Sequence, residues 1–182
     1  MSARDDRTTP ERTSKPRNVG ATPLIIAAEN GQSACAQLLL DANANVNVQD
    51  HTKNKTALSL AAGNGHNACV QMLIDAKAHI EARDRNGCTP LIPAAMGAHM
   101  ASVELLIDAK ANVNVKDTTG VAALTWAAAH GHTACMELLL DAKAKLEGRD
   151  KNGSTALHAA AKSGQLACRC CSKLKRIWTP KM

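Results

Sequence analysis

The chain has 182 residues, a formal net charge of +6 and 45% hydrophobic residues, but it contains two Trp and neither Phe nor Tyr. This length suffices for one domain with an apolar core. Because aromatic rings usually fill volume in a globular core, their scarcity favours thin layers packed closely through small side chains. No run of about 18 apolar residues occurs, so the sequence predicts no membrane-spanning helix.

The positive charge is concentrated at the two ends of the chain. Residues 1–19 carry five basic and three acidic side chains, residues 169–182 carry five basic and no acidic ones, and residues 20–168 carry 12 basic and 13 acidic ones. A nucleic-acid-binding domain would need a basic stripe on the fold itself, with aromatic platforms if it bound single strands. The sequence therefore predicts no nucleic-acid partner.

Residues 1–19 are polar, charged and without periodicity, which predicts a disordered polar tail. They also contain no apolar signal region. The seven cysteines are accordingly expected to be reduced thiols. The protein is expected to be intracellular, with the cytoplasm favoured over the nucleus.

From about residue 17 onwards the sequence repeats with a period of 33 or 34 residues, most clearly in five equivalent leucines. These are Leu24, Leu58, Leu91, Leu124 and Leu157. One extra residue between Asp50 and Thr56 is expected to lie in a loop and to leave the helices in phase. Such a period indicates a stack of similar units. The predicted units span about residues 17–49, 50–83, 84–116, 117–149 and 150–168.

Each unit predicts a turn followed by a short first helix. In the third unit, residues 84–87 end in a glycine that favours a turn. Thr89 is then expected to cap the helix and Pro90 to occupy its first position. The capping residues of three other units are Thr22, Thr56 and Thr155. In the fourth unit Ala122 replaces the threonine, which removes a cap worth about 1 kcal/mol. Alanine pairs on this helix would let neighbouring helices approach closely, and they are Ala27-Ala28, Ala61-Ala62, Ala94-Ala95, Ala127-Ala128 and Ala160-Ala161.

A tight turn leads from the first helix into a second one. Its glycines are Gly31, Gly65, Gly131 and Gly164. The residue pairs of the second helix that are expected to face the core are Leu38-Leu39, Met72-Leu73, Leu105-Leu106 and Leu138-Leu139.

Taken together, the Gly-x-Thr-Pro-Leu opening, the Ala-Ala pair, Gly-His, Leu-Leu and the final Ala-x-Val-Asn before Asp resemble the ankyrin repeat. The resemblance covers about residues 17–168, with four full copies and one partial copy. It implies an all-α repeat solenoid, in which each unit is a β-hairpin plus an antiparallel helix pair, over a domain of residues 20–168. It also implies a concave face of the kind that commonly binds other proteins.

Two departures from the family pattern predict unusual backbone. The family usually has Gly after the second helix, where the chain turns through a left-handed conformation. Here that position is filled by Asn43, Lys77, Lys110 and Lys143, and we expect a positive φ at the three lysines, at a cost of roughly 1 kcal/mol or more each. Pro93 lies within the first helix of the third unit and is expected to shorten or kink it.

The cysteines and histidines that recur at one repeat position are expected to be structural. Neighbours in Cys35, Cys69, Cys135 and Cys168 would lie about 10 Å apart, too far for a disulfide or a shared metal, so they are predicted to fill the core. The rings of His66, His99 and His132 are expected to hydrogen-bond turn backbones between units. With the capping threonines Thr22, Thr56, Thr89 and Thr155, these histidines form the predicted structural set. No catalytic motif is found, and neither a metal, a cofactor nor a small-molecule substrate is expected.

Specificity is expected where the units differ, because the shared positions build the stack. The predicted role is a non-catalytic scaffold or adaptor that binds a partner protein in a groove between the hairpin tips and the first helices. The contact residues predicted on the hairpin tips are His51, Lys53, Lys55, Arg85, Asn86, Cys88, Thr118, Thr119, Val121, Lys151 and Ser154. Those predicted at the inner ends of the first helices are Glu29, Asn30, Asn64, Met96, His130 and Lys162.

Three alternatives remain open at this point. Trp126 is expected either to be buried beside Pro93 or to be an exposed binding anchor. Residues 169–182 form either an irregular cap or a basic, cysteine-containing tail. Acylation of Cys170 and Cys171 would make the protein a membrane-tethered adaptor, although a membrane is not the favoured partner. The repeats could also be the substrate-recognition subunit of an enzyme complex such as a ubiquitin ligase.

Overall fold

The computed structural model describes residues 20–162, and within them the chain forms four helix pairs followed by a ninth helix. The helices are α1 Pro23–Glu29, α2 Ser33–Asp41, α3 Ala57–Gly63, α4 Asn67–Asp75, α5 Leu91–Met96, α6 Met100–Asp108, α7 Ala123–His130, α8 Thr133–Asp141 and α9 Ala156–Lys162. The predictions for residues 1–19, for Gly164 and Cys168, and for the tail with Cys170 and Cys171 lie outside the described residues.

The helices form two parallel layers. The first helices α1, α3, α5, α7 and α9 each contact the next along one layer, and the second helices α2, α4, α6 and α8 do the same along the other. Each pair also packs within its own unit. The predicted helical repeat solenoid is therefore confirmed. None of the helices within residues 20–162 is long and apolar enough to cross a bilayer.

The core lies between the two layers and is built from aliphatic and small side chains. Leu24, Leu58, Leu91 and Leu124 occupy equivalent buried positions, and Leu157 is half-buried against the same core. The second alanine of each of the first four pairs is completely inaccessible to solvent, as are the first alanines of the second, third and fourth pairs. The second alanines are Ala28, Ala62, Ala95 and Ala128. Methyl groups at these positions allow the first helices to approach closely.

The left-handed turns after the second helices are confirmed. Their residues Asn43, Lys77, Lys110 and Lys143 have φ values of 58°, 62°, 72° and 65°. At Lys77, the backbone N–H donates to the Ile74 carbonyl, and the Ala78 N–H donates to the Leu73 carbonyl, both at 2.9 Å. These are the two hydrogen bonds of a Schellman motif, and they hold the lysine in a conformation that favours glycine.

A further strained turn in the third unit was not predicted. Gly97 has a φ of −89°, whereas the following Ala98 has a φ of 60°. In the second unit the left-handed position is Gly65, with a φ of 73°. The glycine of the third unit therefore lies one residue too early, and an alanine occupies the left-handed position.

Replacing Ala98 with Gly is expected to stabilise the protein by about 1 kcal/mol, because the left-handed conformation penalises a Cβ. A Cβ at the equivalent Gly65 would collide with the His99 ring. The measurement is the free energy of unfolding in urea. Ala101→Gly, within α6, is the control and should instead destabilise by about 1 kcal/mol. Equal effects of the two substitutions would contradict the interpretation.

Pro93 shortens its helix, as predicted, but the predicted roles of Thr89 and Pro90 are wrong. The helix α5 begins at Leu91, Pro90 lies at its cap, and no side chain caps it. In the second unit, Leu60 donates its N–H to the Thr56 carbonyl. Pro93 lies at the position of Leu60 and has no N–H, so Ile92 donates to the Thr89 carbonyl instead, at 3.0 Å. The first turn tightens and the threonine cap is lost.

The outer face of the first unit also differs from the prediction. Leu38 is 69% exposed, and Cys35 is exposed rather than part of the core. Cys69 and Cys135, at the position of Cys35, are buried, and Leu138, at the position of Leu38, is half-buried. The difference arises because no described unit packs in front of α2.

Truncation of Leu38 to Ala is expected to change the free energy of unfolding by less than about 0.5 kcal/mol, because the side chain is already in solvent. Leu106→Ala removes a fully buried side chain and should cost about 3 kcal/mol. Urea denaturation of both variants checks the difference. A large loss at Leu38 would show that this face is covered in solution.

Candidate protein-binding groove

Each hairpin turn is organised by one aspartate. The Oδ1 of Asp84 accepts hydrogen bonds from the backbone N–H groups of Asn86 at 2.8 Å and Cys88 at 2.9 Å, and its own N–H donates to the Cys88 carbonyl. The equivalent turns are built in the same way on Asp50, Asp117 and Asp150. The predicted β-hairpins are thus tight turns. Within residues 20–162 they include no strand, only the isolated bridges Gln49–Thr56 and Lys116–Ala122.

Neighbouring hairpin tips are joined by backbone hydrogen bonds. The N–H of Arg85 donates to the Lys53 carbonyl at 2.9 Å, and that of Thr118 donates to the Asn86 carbonyl at 2.8 Å. The N–H of Lys151 completes the series by donating to the Thr119 carbonyl at 3.1 Å. The four tips therefore form one continuous row.

The carboxylate of Asp117 has a second function in the fourth unit. Its Oδ2 accepts a hydrogen bond from Nε1 of Trp126 at 3.0 Å. Partial burial alone would raise the pKa of Asp117, but the hydrogen bonds from Thr119, Val121 and Trp126 outweigh this effect and hold the pKa below its ordinary value. The pKa of Asp50 is lowered in the same way, by hydrogen bonds that outweigh partial burial.

Replacing Asp117 with Asn is expected to destabilise the fold by about 1 kcal/mol at neutral pH, because the Trp126 N–H loses a charged acceptor at a partly exposed site. A group whose folded pKa is depressed contributes stability above its unfolded pKa and loses it as the pH falls. The gap between wild type and variant should therefore close below pH 3.8, the ordinary pKa of Asp. Denaturation at several pH values measures this gap. Asp108→Asn, at an exposed helix end, should show no such dependence.

The hairpin row and the first helices enclose a cavity of about 320 Å³ between the second, third and fourth units. We call it the groove pocket. It is lined by Lys55, Asp84, Asn86, Cys88, Ile92, Pro93, Met96, Asp117, Thr118, Thr119 and Trp126. Because residues of both kinds of element line it, the hairpin tips and the first helices share one face, as the groove hypothesis requires.

Trp126 forms one wall of the groove pocket together with Pro93. The two predicted alternatives for this residue are both partly right, since its side chain is half-buried. The ring stacks on His130 with a centroid distance of 5.8 Å, and His130 stacks on His132 at 5.6 Å. The Asp117 hydrogen bond and this stack hold the indole in one orientation.

Cys88 lies in the groove pocket as a neutral thiol. Burial, together with the carboxylates of Asp84 and Asp117, raises its pKa to about 11. Since the thiolate is the nucleophilic form of cysteine, Cys88 offers an apolar surface to a ligand and is a poor nucleophile at neutral pH.

All of the predicted contact residues are accessible to a partner. Five of them are half-buried, namely Glu29, Lys55, Cys88, Val121 and Ser154, and the others are exposed. Six of the predicted contact residues line the groove pocket, and they are Lys55, Asn86, Cys88, Met96, Thr118 and Thr119. The remainder are not brought into it. Glu29, Asn30 and Lys162, for example, belong to the first and last of the described units.

Sequence reasoning did not assign four residues of this pocket to the binding site. Asp84 and Asp117 were interpreted only as turn formers, and Ile92 was not singled out. Pro93 was interpreted as a disturbance of the helix. One signal could have indicated the pocket, because Pro93 and Trp126 are bulky or rigid residues at the same position of adjacent units.

Three of the threonines predicted to be structural form hydrogen bonds at the starts of their helices. The hydroxyls of Thr22 and Thr56 accept the backbone N–H three residues later, and the N–H and hydroxyl of Thr155 bond to the His158 ring.

Two of the three predicted histidines contact the backbone of another unit. Nε2 of His66 lies 3.1 Å from the Glu29 carbonyl, and Nε2 of His132 lies 3.0 Å from the Met96 carbonyl. For His99, no side-chain hydrogen bond is present within residues 20–162.

Two stacked helical layers with a row of hairpin tips along one edge define a helical repeat protein with an open groove. Residues 24–117 and 94–171 match the ankyrin-repeat family model, described as ankyrin repeats in three copies. The chain therefore belongs to the ankyrin-repeat family. Comparison with curated proteins gives no match. Ankyrin repeats are generally protein–protein interaction modules and are typically non-catalytic.

In the described part of the chain, no three His, Cys, Asp or Glu side chains are grouped to hold a metal ion.

Proposed function

We propose that this chain is a non-catalytic module that binds a partner protein in the groove between its hairpin tips and first helices. The observation that carries the proposal is the groove pocket, a concave site of about 320 Å³ to which both kinds of element contribute. Concave sites with apolar walls and a few polar groups at the rim are the usual form of binding sites.

The arrangement of charge supports the same surface. Lys53 and Lys151 are exposed and Lys55 is half-buried, and within residues 20–162 their ammonium groups form no ion pair. The guanidinium of Arg85 donates to the His51 carbonyl at 2.7 Å and keeps its charge at the tips. A partner that approaches the row of tips therefore meets four basic side chains.

An intracellular location is part of the proposal. Cys35, Cys69, Cys88 and Cys135 are all unpaired thiols, and free thiols are typical of a reducing compartment.

Affinity purification from cell lysate, followed by mass spectrometry, tests the groove. We expect the combined reversals Lys53→Glu, Lys55→Glu, Arg85→Glu and Lys151→Glu to remove at least one protein that wild type retains, because the charge of the tips is inverted. The matched control reverses four exposed lysines after the second helices, Lys77, Lys110, Lys143 and Lys145.

The control variant should retain the wild-type partners. If the tip variant is folded and keeps every partner, the groove is not the binding surface. A catalytic subunit among the lost proteins would favour a substrate-recognition role within an enzyme complex.

A further inference from the structure

Resting on the proposed function, we propose that the groove pocket receives one apolar side chain from an extended acidic segment of the partner protein. The proposal joins two features of the same site, an apolar interior and a basic rim. Each is set by particular residues of the second, third and fourth units.

The side of the pocket that the first helices form is apolar. Ile92 is buried at 2% exposure, Met96 is 42% exposed, and Pro93 and Trp126 complete the walls. The Trp126 N–H is already bonded to Asp117, and Pro93 has no N–H. A ligand group that lies against these walls therefore finds few hydrogen-bonding partners, which favours a hydrocarbon side chain.

The pocket is large enough to receive one side chain of a partner. Its volume of about 320 Å³ is at the lower end of the range of roughly 300–1,000 Å³ for small-molecule sites. The pocket is also rigid, because Trp126 is held by its hydrogen bond and by its stacking on His130. Rigid walls reduce the entropy lost when an anchor residue binds.

The pocket is particular to one place in the stack. At the position of Pro93 and Trp126, the other units have the aliphatic residues Ile26, Leu60 and Ala159. Within residues 20–162, a ring-constrained proline and an indole line the same cavity between the third and fourth units, so we expect one anchor residue in the partner rather than a repeated motif.

The rim favours an acidic segment. Lys55 lines the pocket, and Lys53 and Arg85 lie on the joined tips beside it. Two carboxylates, Asp84 and Asp117, also line the pocket and would oppose an acidic ligand. Each of them, however, is half-buried and accepts at least two backbone N–H groups at the base of its turn, whereas Lys53 and Arg85 are exposed.

Selection of random peptides of about 12 residues, displayed on phage and panned against the full chain, tests the proposal. We expect the enriched peptides to share one Leu, Ile, Met or Phe flanked by Asp or Glu. The synthesised peptide, labelled with fluorescein, then gives a Kd by polarisation. Replacing its apolar residue with Ala should weaken binding about tenfold or more, and raising the ionic strength should weaken it further.

Variants of the chain locate the bound peptide. Met96→Glu and Lys55→Glu should each weaken binding about tenfold or more. Their matched controls are Met100→Glu, whose side chain is 49% exposed outside the pocket, and Lys77→Glu. Circular dichroism confirms that each variant is folded. In a Trp178→Phe chain, the peptide should also change the fluorescence of Trp126.

The outcomes separate this inference from the proposed function. Enriched peptides that are basic, or that bind the Met96→Glu variant as tightly as wild type, would overturn the pocket inference. The absence of any enriched peptide would do the same. If the tip charge reversals removed a partner in the affinity purification, the groove would still be supported as the binding surface. If they removed none, both the groove and the pocket inference would be wrong.

Discussion

The close contact between successive first helices is the constraint on which the rest of the structure depends. Successive first helices contact one another, and Ala28, Ala62, Ala95 and Ala128 on them are fully buried, because small side chains allow close approach. This spacing brings adjacent hairpin tips to backbone hydrogen-bonding distance, as between Thr118 and Asn86 at 2.8 Å. A larger side chain in this row would separate the units and break the row of tips.

The candidate site arises where two adjacent units depart from the shared pattern. Pro93 cannot donate the backbone hydrogen bond that Leu60 donates in the second unit, and Trp126 at the next equivalent position is tied to the hairpin through Asp117. The regular positions build the stack, and these two exceptions shape the groove pocket. In a repeat protein, a binding site can thus be formed without altering the contacts between units.

The solenoid tolerates backbone strain that would be costly in isolation. Three lysines and Ala98 have positive φ values, each costing roughly 1 kcal/mol or more relative to glycine. At Lys77 the two hydrogen bonds of the Schellman motif and the buried Ala78 that follows hold the turn in place. The positive φ persists because the helix pair packs only if the chain reverses direction sharply after the second helix.

Features set by neighbouring residues in the chain could be predicted from the sequence, including the repeat, the helix pairs and the left-handed lysines, because period and turn chemistry are local. The exposure of Leu38 could not, since burial depends on whether another unit packs against that face. The lost cap at Thr89 results from competition with Pro93, four residues away. The groove pocket required the tertiary structure, because only the stacking of units brings Lys55 and Trp126, 71 positions apart in the chain, to the walls of one cavity.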